Sequence, residues 1–209
     1  MCGAPVLFFV LNAQNFRASP IGHAFLCGTV WYTAFRMVRR NRISMRIVVM
    51  GVSGCGKSTV GRALADRLGL PYIEGDALHS DDNKRKMAEG IPLTDEDRWP
   101  WLDQVGHALA APDHGAVAAC SALKKSYRDR LRSASGADLK FIFLYGSRDL
   151  LQQRMETREG HFMPPALLES QLATLENPTE EPGVLPLDVA EHAETLAEKA
   201  VLWLEGEAG

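Results

Sequence analysis

Downstream of residue 44 the chain alternates between two hydrophobic patterns. Short, nearly unbroken apolar runs stand at 46–50 (RIVVM), 71–73, 116–120, 139–144 (LKFIFL) and 185–189, and each reads as a short strand of a sheet buried on both faces. Between them lie longer stretches in which apolar residues recur every three or four positions, the period of a helix with one buried face. These predict helices over 57–68, 80–89, 101–111, 148–158, 166–175 and 190–204, with a turn and a strongly basic helix sharing 121–132. Gly69 and Pro71 end the first helix, Ser80 caps the second, Gly90 stops it, and Pro100 suits the first turn of the third. Strands alternating with helices predict an α/β domain, a parallel sheet of five short strands flanked by helices.

The first strand runs into GVSGCGKST. Gly51, four residues, then Gly56, Lys57 and Ser58 complete the spacing of a P-loop between a strand and a helix. The backbone of Gly51, Val52, Ser53, Gly54, Cys55, Gly56, Lys57, Ser58 and Thr59 can then surround an anion, with a helix N-terminus behind it. Lys57 would set a compact positive charge on the β- and γ-phosphates, and the Ser58 hydroxyl is a ligand for the Mg²⁺ that bridges them. The chain is therefore expected to bind a nucleoside triphosphate. For the Cys55 thiol two readings stay open: a reactive thiolate beside Lys57 and the loop amides, or a side chain turned into packed surroundings and inert.

Two further places carry chemistry. The second strand ends in Glu74, Gly75 and Asp76, and ligands of open α/β sheets gather beyond the carboxyl ends of the strands. Asp76 is thus expected near the γ-phosphate, as a phosphoryl-transfer base or else as a capping or solvated carboxylate. Between Glu159 and Pro165 the chain breaks into EGHFMPP, flanked by helices of which the first ends in Arg158. That is the form of a short lid bringing positive charge to phosphates, and equally the form of an ordinary helix hairpin. Lys84, Arg85 and Lys86 read as a solvated helix face, and Trp99 and Trp101 as packing residues.

Charge divides the chain at residue 44. Residues 1–44 hold five arginines, no lysine and no acid; the rest carries 18 basic against 26 acidic residues, a formal −8. So acidic a domain does not suit general nucleic-acid binding. The apolar runs at 5–11 and 21–35 are too short or too interrupted for a membrane span. Residues 1–44 are read as an extension outside the domain, either a disordered or mis-assigned start ahead of Met45 or a transit-like segment, and 45–209 as the domain. The four cysteines show neither paired nor zinc-ligand spacing, which fits a reducing, cytoplasmic setting.

The blocks GVSGCGKSTVG, GDALH, NKRKMAEGIPLTDEDRWPWL, ACSALKKSYRDRLR and REGHFMPPALLESQLATLE, in that order across 45–189, resemble the gluconokinase family of small carbohydrate kinases. The resemblance implies a P-loop kinase fold related to shikimate and nucleoside monophosphate kinases, with a lid, and phosphorylation of D-gluconate on its 6-hydroxyl by ATP with Mg²⁺. It implies Asp76 as base or orienting acceptor, Arg154 against the adenine and Arg158 as the lid arginine. His79 would help hold the sugar hydroxyls, with Arg98, Lys124 and Arg128 as candidates for the substrate carboxylate. It also suggests a homodimer. Two positions depart from the family pattern: Cys55 replaces the usual Ser, and Ser80 the usual Pro. A related kinase of another sugar acid or of a shikimate-like hydroxyacid would share the transfer machinery. A P-loop switch is the other class, but the NKRK at Asn83 lacks the Asp of a guanine-reading element.

Overall fold

The computed structural model describes residues 44–136, 138–157 and 165–207, with side chains from 168 in the last segment. Residues 1–43 and the 158–164 segment, including Arg158 and the core of the expected lid, lie outside the described residues.

Five parallel strands, β1 (Met45–Met50), β2 (Tyr72–Glu74), β3 (Gly115–Ala119), β4 (Leu139–Tyr145) and β5 (Val184–Asp188), form one sheet in the order β2-β3-β1-β4-β5. The helices are α1 (Lys57–Leu68), α2 (Asp81–Ala88), α3 (Asp95–Ala110), α4 (Lys125–Ser135), α5 (Arg148–Glu156), α6 (Pro165–Thr174) and α7 (Ala193–Glu207). The central strand β1 has both faces covered, as its unbroken apolar run requires. Ile47 and Val49 join a core with Val60 and Leu64 of α1 and Leu196 and Ala200 of α7. Val48 and Met50 face the other way, onto Leu102 and Val105 of α3, Leu131 of α4 and Phe141 and Phe143 of β4.

Two expected boundaries move, each for a local reason. The third helix begins at Asp95 rather than 101, because Thr94 and Asp97 form a reciprocal capping box: Asp97 N–H donates to Thr94 Oγ1 (3.3 Å) and Thr94 N–H to Asp97 Oδ2 (3.0 Å). Pro100 therefore sits inside the helix, not in its first turn. The last helix begins at Ala193 rather than 190, because the Asp188 carboxylate accepts from Ala190 N–H (2.9 Å) and holds 190–192 as a turn. The face read as solvated on α2 is partly tied down: Lys86 pairs with both oxygens of Asp97, at 2.7 and 2.8 Å.

Candidate active site

The loop after β1 is shaped for an anion. Gly51 adopts φ 138°, and a Cβ there would come within 2.4 Å of the Leu144 carbonyl oxygen, so no other residue fits. Its N–H donates to Ser121 O (3.3 Å), joining the loop to the end of β3. α1 begins at Lys57 behind an N-cap, Gly56, that has no side chain to accept from the first-turn amides. Those N–H groups remain available, and with the helix dipole they favour a phosphate. Lys57 Nζ donates to Val52 O (3.0 Å), folded across the same loop. The Tyr72 hydroxyl, which faces Ser58, donates to Glu74 Oε2 (2.8 Å); burial and Glu74 push the Tyr72 phenol up to about 12 against the lowering effect of Ser58. The Ser58 hydroxyl offers oxygen lone pairs suited to a metal. Loop, lysine and hydroxyl together fit a Mg-nucleotide.

The 3₁₀ turn Gly75–Leu78, which carries Asp76, is held at the end of β3 by three contacts. Gly75 packs so closely on the end of β3 that a Cβ would lie 2.2 Å from Ala119 O. Trp101 Nε1 donates to Gly75 O (2.7 Å), and the Trp101 ring stacks on His79 with 4.1 Å between centroids. Asp76 itself is exposed. The buried Cys120 thiol lies just past the end of β3; burial, and then the negative charge of Asp76, pushes it up to about 12 against the opposing charge of Lys57. Trp101 thus combines the expected packing with a specific hydrogen bond to the Asp76 turn.

On the other side of the loop, a cavity of about 220 Å³ lies between Gly56, Thr59 and Val60, Arg154 of α5, and Ala190 and His192 of the β5–α7 turn. Arg154 Nη2 donates to Val189 O (2.6 Å), fixing the guanidinium at its wall. Arg154, expected beside the adenine, thus lines a cavity next to the loop. The contribution of 190–192 was not legible, because the sequence reads these residues as helix. A larger surface depression of about 470 Å³, bounded by Trp99, Ser126 and Arg130 among others, includes no loop residue.

The acceptor-side residues separate. His79 is buried, with Nδ1 3.4 Å from Asn83 Nδ2, and burial lowers its pKa, so its ring favours the neutral form. Lys124 binds both oxygens of Asp95 (2.9 and 2.8 Å), and the Tyr127 hydroxyl donates to the same carboxylate. Lys124, by its hydrogen bond, and then Tyr127 hold the Asp95 carboxyl below its usual range. The Arg98 guanidinium lies 5.8 Å from the Tyr127 ring centroid, and among the described residues no carboxylate forms an ion pair with it. Of the three candidates Arg98, Lys124 and Arg128, Arg98 is thus the one with no carboxylate ion pair among the described residues.

Arg128 must be reassigned. Its side chain is 0% exposed, and its donors are taken: Nε and Nη2 by Glu181, Nη1 by Ala122 O (2.9 Å) and Leu123 O (3.0 Å), and Nη2 also by Glu176 O (3.1 Å). Ala122 holds φ 45°, an uncommon conformation for a residue with a Cβ, and its carbonyl is one of those Arg128 grips. Arg128 thus braces the loop that presents Lys124 and has no donor left for a carboxylate. Five satisfied donors explain why so buried a cation is tolerated.

Known proteins share this fold. The family described as Shikimate kinase matches residues 53–199. A gluconokinase of Gluconobacter oxydans is 47% identical over 167 residues, covering 77% of this chain and 92% of the relative. The crystal structure of a gluconokinase from Sinorhizobium meliloti 1021 superposes with a TM-score of 0.70 at 49% identity, covering 81% of this chain and 100% of that one. The chain belongs to the gluconokinase family. A sugar kinase from a Janibacter species, at 44% identity, covers 78% of this chain and 95% of its own with a TM-score of 0.72.

Against the gluconokinase pattern, both departures are absorbed locally. Ser80 caps α2 by accepting from Asn83 N–H (3.2 Å). Cys55 is 1% exposed and packs in the core with Leu151 and Met155, and burial pushes its thiol up despite Lys57 nearby. The inert reading of Cys55 therefore holds, and the reactive thiolate is excluded: the same loop that exposes its amides turns this side chain inward. Gln171 of α6, which the sequence did not single out, meets Ser53 of the loop through its side chain.

Proposed function

We infer that the chain transfers the γ-phosphoryl group of ATP to the 6-hydroxyl of D-gluconate, giving ADP and 6-phospho-D-gluconate. The observation that carries this reading is gluconokinase-family membership extending through the acceptor-side blocks as well as the P-loop; the loop alone would support only a nucleotide. ATP would place its adenine in the cavity beside Arg154 and its phosphates on the amides of 51–59, with Lys57 keeping one N–H on Val52 O and turning its others to the β- and γ-phosphates. Ser58 would hold the Mg²⁺ that accompanies ATP, and the ion would supply positive charge to offset what grows on the leaving oxygen.

Asp76 orients the 6-hydroxyl and receives its proton, a task that needs alignment more than basicity. His79, neutral in its buried stack on Trp101, offers a hydrogen bond rather than a charge to the sugar hydroxyls. Arg98 pairs with the substrate carboxylate, and Lys124 can share itself between Asp95 and that anion. Arg158 completes the charge on the phosphates from the lid. Within this reading 45–209 is the kinase domain and 1–44 an extension to it. The protein works in the cytoplasm as a homodimer, with no nucleic acid or membrane as partner; the acidic balance of 45–209 and its free Cys55 and Cys120 support that setting.

A coupled assay of ADP release tests the substrate. Release should depend on gluconate and exceed that with shikimate, glucose or AMP by well over about tenfold, because a site built around polar groups rejects molecules lacking them. Faster release with any of those three, or release indifferent to acceptor, would sink the assignment.

A further inference from the structure

We propose that Gln171 is a positioning residue for the ATP phosphates: it fixes the Val52–Ser53 peptide and, through that peptide, Lys57. In a trans peptide the C=O and N–H point to opposite sides of the chain. Here both ends are engaged. Ser53 N–H donates to Gln171 Oε1 at 2.6 Å, while Val52 O, the other end of the same unit, accepts from Lys57 Nζ at 3.0 Å and from Cys55 N–H at 3.4 Å. A second bond, Gln171 Nε2 to Ser53 Oγ at 3.0 Å, makes the attachment two-pointed, so the side-chain amide cannot rotate without losing one of them.

The amide is presented from a firm base. Leu168, one turn earlier on α6, is 2% exposed and sits in the core cluster that also holds Cys55, Leu151 and Met155, and Leu172 packs against the same cluster. Were the Val52–Ser53 peptide to flip, an N–H would replace the carbonyl that faces Lys57, setting two donors against each other and displacing the ammonium. Phosphate binding depends on donors arranged before the ligand arrives, so the group that holds this peptide contributes to ATP affinity without touching ATP. A residue needed only to pack α6 would have no use for a carboxamide at this position.

The inference rests on the reading of this loop as the ATP site, and a test by nucleotide binding without acceptor keeps the two apart. Gln171→Met has similar length but neither accepts from Ser53 N–H nor donates to its hydroxyl. Calorimetry should show ATP binding about tenfold weaker, equivalent to about 1.4 kcal/mol. KM for ATP should rise in step while KM for gluconate and the thermal midpoint stay near wild type. ATP affinity within about twofold of wild type, or equal losses for both substrates with a lowered midpoint, would overturn the proposal. Should Gln171→Met fail to fold, Gln171→Glu decides: it keeps acceptors for Ser53 but sets a negative charge behind the loop, and ATP should weaken by at least about tenfold. Unchanged ATP affinity in that variant would show that Gln171 is remote from the phosphates. Absence of ATP binding in the wild type would instead overturn the reading of the loop itself.

Discussion

Asp76→Asn is expected to bind ATP as tightly as the wild type and to turn over gluconate at least about a hundredfold more slowly, the usual scale for losing a positioned proton acceptor. The amide keeps the size and one acceptor oxygen, so the 3₁₀ turn held by Trp101 and packed on Ala119 should persist. What disappears is the group that takes the hydroxyl proton. Lys57→Ala should behave differently, because Lys57 would contact the nucleotide in both the ground and the transition state. Its ATP affinity and its kcat should fall together. Measuring ATP binding and steady-state rates for both variants separates the roles, and near-normal turnover in Asp76→Asn would assign Asp76 to structure.

Arg128→Met should destabilise the fold by about 3 kcal/mol, since removing one partner of a buried pair leaves the other charge poorly compensated. In addition the carbonyls of Ala122, Leu123 and Glu176 would lose their donor. For a domain of this size the thermal midpoint should drop by roughly 6–12 °C. The pH dependence has a definite sign. Burial by itself would raise the Glu181 pKa, but Arg128 and Arg132 hold it below its ordinary 4.5. A carboxylate depressed in the folded state contributes stability above its unfolded pKa and loses that contribution as pH falls through the folded value. Wild-type stability should therefore decline on acidification from about pH 4.5 downward, and part of that decline should vanish in Arg128→Met, where the strongest cause of the depression is gone. An unchanged midpoint in calorimetric melts would show that the Arg128–Glu181 pair is not a brace.

The layout was legible because its causes are local. A strand buried on both faces has to be an unbroken apolar run, and the P-loop needs its residues at fixed spacing, so β1, the loop and α1 fell where the pattern put them. The Thr94–Asp97 capping box was equally local and could have been read from TDED, but Pro100 drew the helix start toward itself. Residues whose role depends on distant partners were not legible. Arg128 looks like any cation of a basic helix until Glu181, 53 positions later, folds over it. Gln171 meets Ser53 across 118 positions, and nothing in its neighbourhood marks it. The direction in which Cys55 points is likewise a property of the folded loop, since its neighbours on either side are identical in both readings.

The most direct measurement is the ³¹P NMR spectrum of the product formed from ATP and gluconate. Gluconate has a single primary hydroxyl, at carbon 6, and phosphate on that carbon couples to a methylene pair, whereas phosphate on any secondary hydroxyl couples to a lone methine proton. ADP should form together with, in equal amount, a phosphomonoester whose resonance is split as a triplet. A doublet, or ADP accompanied only by inorganic phosphate, would contradict transfer to the 6-hydroxyl of gluconate.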